Sequence, residues 1–180
     1  MILGLSIGAF TLLHVAISLL AIGSGLIVCG GMFASRRLPS TNALFLLTTV
    51  LTSLTGFLFP IHGFTPALGV GIVSCVILAI ALFAYYGKHF AGAWRRIYVV
   101  TAVAALYFNA FVLVVQSFIK VAALNALAPT QAEQPFAIAQ VAVLALFALI
   151  GIAAVSKFHP DATALSGFRI GRPACASRFH

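Results

Sequence analysis

Seven side chains in this sequence could hold or act on a small molecule: His14, His62, Asn109, Gln116, Lys120, Glu133 and Gln140. His14 and His62 could ligate haem iron or another metal. A histidine, a glutamine and a lysine could hold the carbonyls of a quinone or a lipid headgroup. Histidine and glutamate could relay protons. Spacing gathers part of the set, because Asn109, Leu113, Gln116 and Lys120 fall at i, i+4, i+7 and i+11 on one helix face. An amide in lipid is costly without a partner, so this stripe is expected to face the interior of a bundle. A hydroxyl stripe lies in TTVLTSLTGFLFPIHGFTP, where Thr48, Thr52 and Thr55 share a face and Thr49 and Ser53 lie beside them. Plainer explanations compete. Thr and Ser in helices commonly bond the carbonyl one turn back or a neighbouring helix, and an interfacial histidine can simply bond water.

Other chemistries lack their residues. There is no HExxH, Walker or dinucleotide-binding motif, and the only carboxylate side chains are Glu133 and Asp161, at opposite ends of the last apolar run. No catalytic residues are assigned, and the chain reads as a binder more readily than as an enzyme. Cys29 and Cys75 lie in apolar runs and Cys175 in the tail, with no CxxC, so neither a disulfide framework nor a thiolate metal site is supported. A haem between helices needs two facing histidines. His62 follows Pro60 in a connector, and His89 and His159 stand near Lys88 and Lys157.

The elements that must position these residues follow from composition. Of 180 residues, 63% are hydrophobic and 7% charged, with a mean hydropathy of +1.18. Soluble domains carry about 25% charged residues, so lipid is the expected solvent. Five apolar runs cover roughly 5–34, 42–60, 67–86, 97–119 and 136–156. Each approaches the ~20 residues needed to cross a bilayer. The first lacks a basic lead-in and is too long for a signal peptide, so it reads as a retained helix.

Charge sets the expected topology. Connectors holding Arg36 and Arg37, then Lys88, Arg95 and Arg96, alternate with one that holds no Lys or Arg and one that holds Lys120 with Glu133. The positive-inside rule then gives an all-α integral membrane bundle of five transmembrane helices, N-terminus outside and C-terminus cytoplasmic. Tyr85, Tyr86, Trp94 and Tyr98 mark the inner boundary as interfacial aromatics do. Residues 157–180 read as a basic, flexible tail near the inner leaflet. The net charge of +8 is dispersed between apolar runs and does not form a nucleic-acid footprint. Small residues recur at Gly4 and Gly8, and at Ala21, Gly25 and Cys29, spacings that let helices approach closely. The halves show no repeat of the kind that builds inverted-repeat transporters.

Counting about 20 residues back from Arg36 puts His14 at the outer boundary. His62, Gln116, Lys120, Glu133 and Gln140 fall at the same depth. The expected site is an outer-leaflet pocket between the first, second, fourth and fifth spans, with Thr48, Thr52 and Thr55 along its wall. The segments FLLTTVLTSLTGFLFP, AWRRIYVVTAVAALYFNAFVLVVQSF and ALAPTQAEQPF carry these residues. Over roughly residues 10–156 the chain resembles a group of small bacterial inner-membrane proteins of unknown function. That resemblance implies the bacterial cytoplasmic membrane and carries over no catalytic residue. Three readings remain open: a protein binding a quinone- or lipid-like molecule, a structural accessory subunit of a respiratory or transport complex, and a haem-binding redox protein. The partners expected are membrane lipids and a homo-oligomer or larger membrane complex.

Overall fold

A run of apolar residues with few helix breakers forms helix wherever backbone groups must bond within the segment. In the computed structural model, which describes residues 4–59 and 66–160, this yields α1 (Ile7–Phe33), α2 (Pro39–Phe57), α3 (Pro66–Leu82), α4 (Trp94–Lys120), α5 (Ala122–Leu127) and α6 (Gln134–Lys157). A π-helical turn, Phe83–Gly87, extends α3. No strand occurs among the described residues, and five of the helices, counting α3 with its extension, are long and apolar enough to cross a membrane. His62 and the tail beyond Pro160 lie outside the described residues.

Local chemistry sets the ends. Ser6 caps α1 by accepting the Ala9 N–H at 3.2 Å, and Pro39 opens α2, where its missing N–H costs nothing. The connector after α4 holds the short helix α5, which its AALNAL sequence favours but which is too short to show a period.

Helices α1 to α4 close a ring: α1 packs on α2 and α4, and α3 packs on α2 and α4. Helix α6 lies outside the ring against α4 and α1. The ring is tightly filled toward the end holding Arg36 and Lys88. Val28, Met32, Phe45, Leu46, Leu78, Val99 and Leu106 are buried there, and Tyr98 donates to Asn42 Oδ1. Ala21, Gly25 and Cys29, the small residues repeating at every fourth position, are all buried, whereas Gly8 is exposed with nothing near it.

The same end ties α6 down. Ser35 Oγ donates to Lys157 O at 2.5 Å and accepts the His159 N–H at 2.9 Å. Arg95 donates to Phe158 O. Phe90, at φ +66° in the loop after the π-turn, is buried against Tyr85, Tyr98 and Phe158, with the Arg37 guanidinium 4.9 Å above its ring. Burial of this large ring offsets the strain of a left-handed non-glycine residue.

Candidate functional site

The opposite half of the ring is hollow. A cavity of about 400 Å³ opens there between α1, α2, α3 and α4. That volume lies within the usual range for small-molecule sites. Leu19, Ile22, Phe57, Leu68, Val70 and Val112 supply apolar wall, and His14, Ser18, Thr52, Ser53, Ser74, Asn109 and Gln116 supply the polar groups. Asn109 stands eleven residues before the end of α4. At 1.5 Å per residue it lies about 16 Å in, so the cavity reaches roughly half-way through a bilayer-sized bundle.

Small residues make the space. Gly71 faces Phe57, and a β-carbon there would fall 3.0 Å from Phe57 Cζ. Gly56 and Ser74 likewise contribute little bulk to the lining. Toward the end away from Arg36, the Phe59 ring meets Phe10 at 5.1 Å and His14 at 5.3 Å, both edge-on.

The polar groups form two cross-helix contacts and leave one orphan. His14 Nδ1 lies 2.7 Å from Thr55 Oγ1, joining α1 to α2. Asn109 Nδ2 donates to Thr49 Oγ1 at 3.4 Å, joining α4 to α2. Most hydroxyls in the spans bond the carbonyl one turn back: Thr48 to Leu44, Thr49 to Phe45, Ser53 to Thr49, Thr55 to Leu51 and Ser18 to His14. Thr52 does not. Its Oγ1 is buried and has no partner among the described residues. An orphaned buried hydroxyl costs about 1–3 kcal/mol, a cost that a polar occupant would remove.

The residues singled out from sequence divide by direction. His14, Thr52, Asn109 and Gln116 line the cavity, and Thr55 holds His14. Thr48 is buried in helix packing, away from the lining. Lys120 is exposed at the end of α4. Gln140 donates to Phe111 O at 3.3 Å, a bond between α6 and α4 outside the ring. Glu133 Oε1 accepts from the Thr130 N–H and hydroxyl at 3.2 and 2.9 Å, ahead of α6. The wall expected from the last span is supplied by α3, because α6 packs on the outside of α1 and α4. Ser18 and Ser74 enter the lining without having been singled out. The available signal for α3 was its small-residue run LGVGIVSC.

Residues 4–8, GLSIG, match the GxSxG spacing of a nucleophile elbow. That motif needs a strand-to-helix turn with a base beside the serine. Here Ser6 is exposed and its hydroxyl caps α1, so the match is a helix start.

Among the described residues no three His, Cys, Asp or Glu side chains come together as metal ligands. Among the described residues His14 is the one histidine in the lining, and it supplies a single nitrogen ligand at most beside its Thr55 contact. No protein-family model, curated protein or solved structure matches the chain. Its class therefore rests on its own helices: an all-helical protein with five segments suited to a membrane and a hollow, partly polar four-helix ring.

Proposed function

We propose that this chain is a multi-pass membrane protein that binds a quinone- or lipid-like molecule in the cavity enclosed by α1, α2, α3 and α4. One observation carries the reading: an apolar cavity of ligand size with His14, Thr52, Asn109 and Gln116 on its walls. Lipid tails are as apolar as leucine, so an occupant entering from the bilayer gains little from apolar wall alone. The polar groups decide which molecule stays, and the apolar wall accommodates its tail.

Charge supports an orientation. Arg36, Arg37, Lys88, Arg95, Arg96 and Lys157 belong to the filled end, and Lys120 is the one Lys or Arg near the hollow end among the described residues. The positive-inside rule then puts the filled end in the cytoplasm and the cavity in the outer leaflet, with the N-terminus outside. A bacterial inner membrane is the setting that the sequence resemblance implies.

The test is native mass spectrometry of the full chain extracted gently from membranes, beside a Ser74→Phe variant that fills the cavity. Retention of a quinone- or lipid-sized mass by the wild type, reduced in the variant, is expected. A wild-type chain without added mass, or one whose adduct survives Ser74→Phe unchanged, overturns the proposal.

A further inference from the structure

The hydrogen-bond polarity of the cavity restricts its occupant further. This restriction rests on the binding role proposed above and on one proton count at Thr55. Thr55 has one hydroxyl hydrogen and two close neighbours: Leu51 O at 2.7 Å and His14 Nδ1 at 2.7 Å. We assign the Thr55 hydrogen to Leu51 O, with Thr52 O at 3.2 Å sharing it, because this is the back-bond that Thr48 and Thr49 also make on α2. The His14 contact is then a hydrogen bond only if Nδ1 carries hydrogen and Thr55 accepts it. A neutral imidazole protonated at Nδ1 has its lone pair at Nε2. That nitrogen has no partner among the described residues and is the one left for an occupant.

Asn109 repeats the pattern. Thr49 spends its hydrogen on Phe45 O at 2.7 Å and accepts from Asn109 Nδ2. The Asn109 amide nitrogen is thereby drawn to the α2 wall, and its carbonyl oxygen remains an acceptor. Thr52, whose buried hydroxyl lacks a partner, can both give and take. A molecule offering only carbonyl or ether oxygens would set a lone pair against His14 Nε2. One with a hydroxyl can donate to Nε2 and accept from Thr52 or Gln116.

We infer that the cavity selects an apolar molecule with a hydroxyl headgroup, a quinol or a lipid alcohol, over the matching quinone, ester or ether. Two matched pairs test this on the full chain in lipid nanodiscs. 4-Nonylphenol and its methyl ether stand for the quinol-like ring. Dodecanol and its methyl ether stand for the lipid alcohol. A preference for the hydroxyl of about tenfold in either pair is expected, the scale of replacing a buried hydrogen bond by an unsatisfied acceptor. The pair that carries the larger preference names the source of the headgroup. In His14→Phe the preference should collapse with ether binding retained. Histidine ¹⁵N NMR of the wild type, with His14 assigned by its loss in that variant, should find hydrogen on Nδ1. Equal binding within both pairs, preference for the ethers, or hydrogen on Nε2 overturns the inference and leaves the binding proposal standing. Failure of all four probes to bind removes both.

Discussion

Gly25 of α1 lies so close to α4 that a β-carbon built on it would fall 2.7 Å from Leu106 Cδ1 and 2.8 Å from Phe45 Cε2 of α2. Three helices therefore converge on a position where a larger side chain fits only if the buried Leu106 and Phe45 side chains shift. Gly25→Val should destabilise the bundle by about 1–3 kcal/mol, the usual cost of overpacking. Gly8→Ala, with nothing within 4 Å, should be neutral or slightly stabilising. Thermal unfolding in detergent compares the two, and equal effects would contradict the close approach at Gly25.

Tyr98 and Asn42 form a buried pair at the filled end. Tyr98→Phe removes the donor and leaves Asn42 Oδ1 without it, which should cost about 1–3 kcal/mol. Adding Asn42→Leu should recover part of that loss, since removing both partners is far cheaper than orphaning one. A double-mutant cycle by denaturation measures the coupling, and strictly additive losses would mean the bond contributes nothing.

Thr52→Val should separate stability from binding. The hydroxyl is buried without a partner, so its loss should leave the empty protein as stable or more so. The same change should weaken retention of a hydroxyl-headed probe several-fold. Parallel loss of stability and binding would instead assign Thr52 a packing role.

Glu133 offers a pH test ahead of α6. Desolvation, the largest single influence, pushes its carboxyl up, but hydrogen bonds from the Thr130 side chain and from the backbone together outweigh it and hold it below the usual carboxylate range. A depressed folded-state value means the stabilisation is fully present above the unfolded carboxylate's titration, about pH 4.3. It is lost as pH falls through the folded value. Protection of the Thr130 N–H, taken relative to its intrinsic exchange rate at each pH, should fall over that acidic window, and Glu133→Gln should remove the pH dependence of the protection.

The fold was legible because hydropathy and length decide what can cross lipid, and five apolar runs became five helices. The site was legible in depth and illegible in direction. Counting along a helix puts Gln140 near the same level as Gln116, yet α6 packs outside the ring and Gln140 bonds Phe111 instead. Which way a residue faces depends on how neighbouring helices rotate against one another, and that is settled by many small contacts such as Gly25 on Leu106. The hydroxyl stripe divided in the same way. Thr48 and Thr55 bond back to their own helix, as the plainer explanation held, and Thr52 alone of the three is left over. Helix α3 escaped notice because its contribution is space made by small residues, and space leaves no polar mark in a sequence.

The uneven filling of the ring gives it the mechanics of a pair of tweezers. Close-packed interiors resist compression, so the Tyr98 end acts as the fixed hinge, and compliance grows toward Phe10 and Phe59. A bulkier occupant should therefore be admitted by spreading α1 and α4 at the Phe59 end away from α2 and α3, which the chain joins there, while the spacing of Ala21, Gly25 and Cys29 against their neighbours stays unchanged.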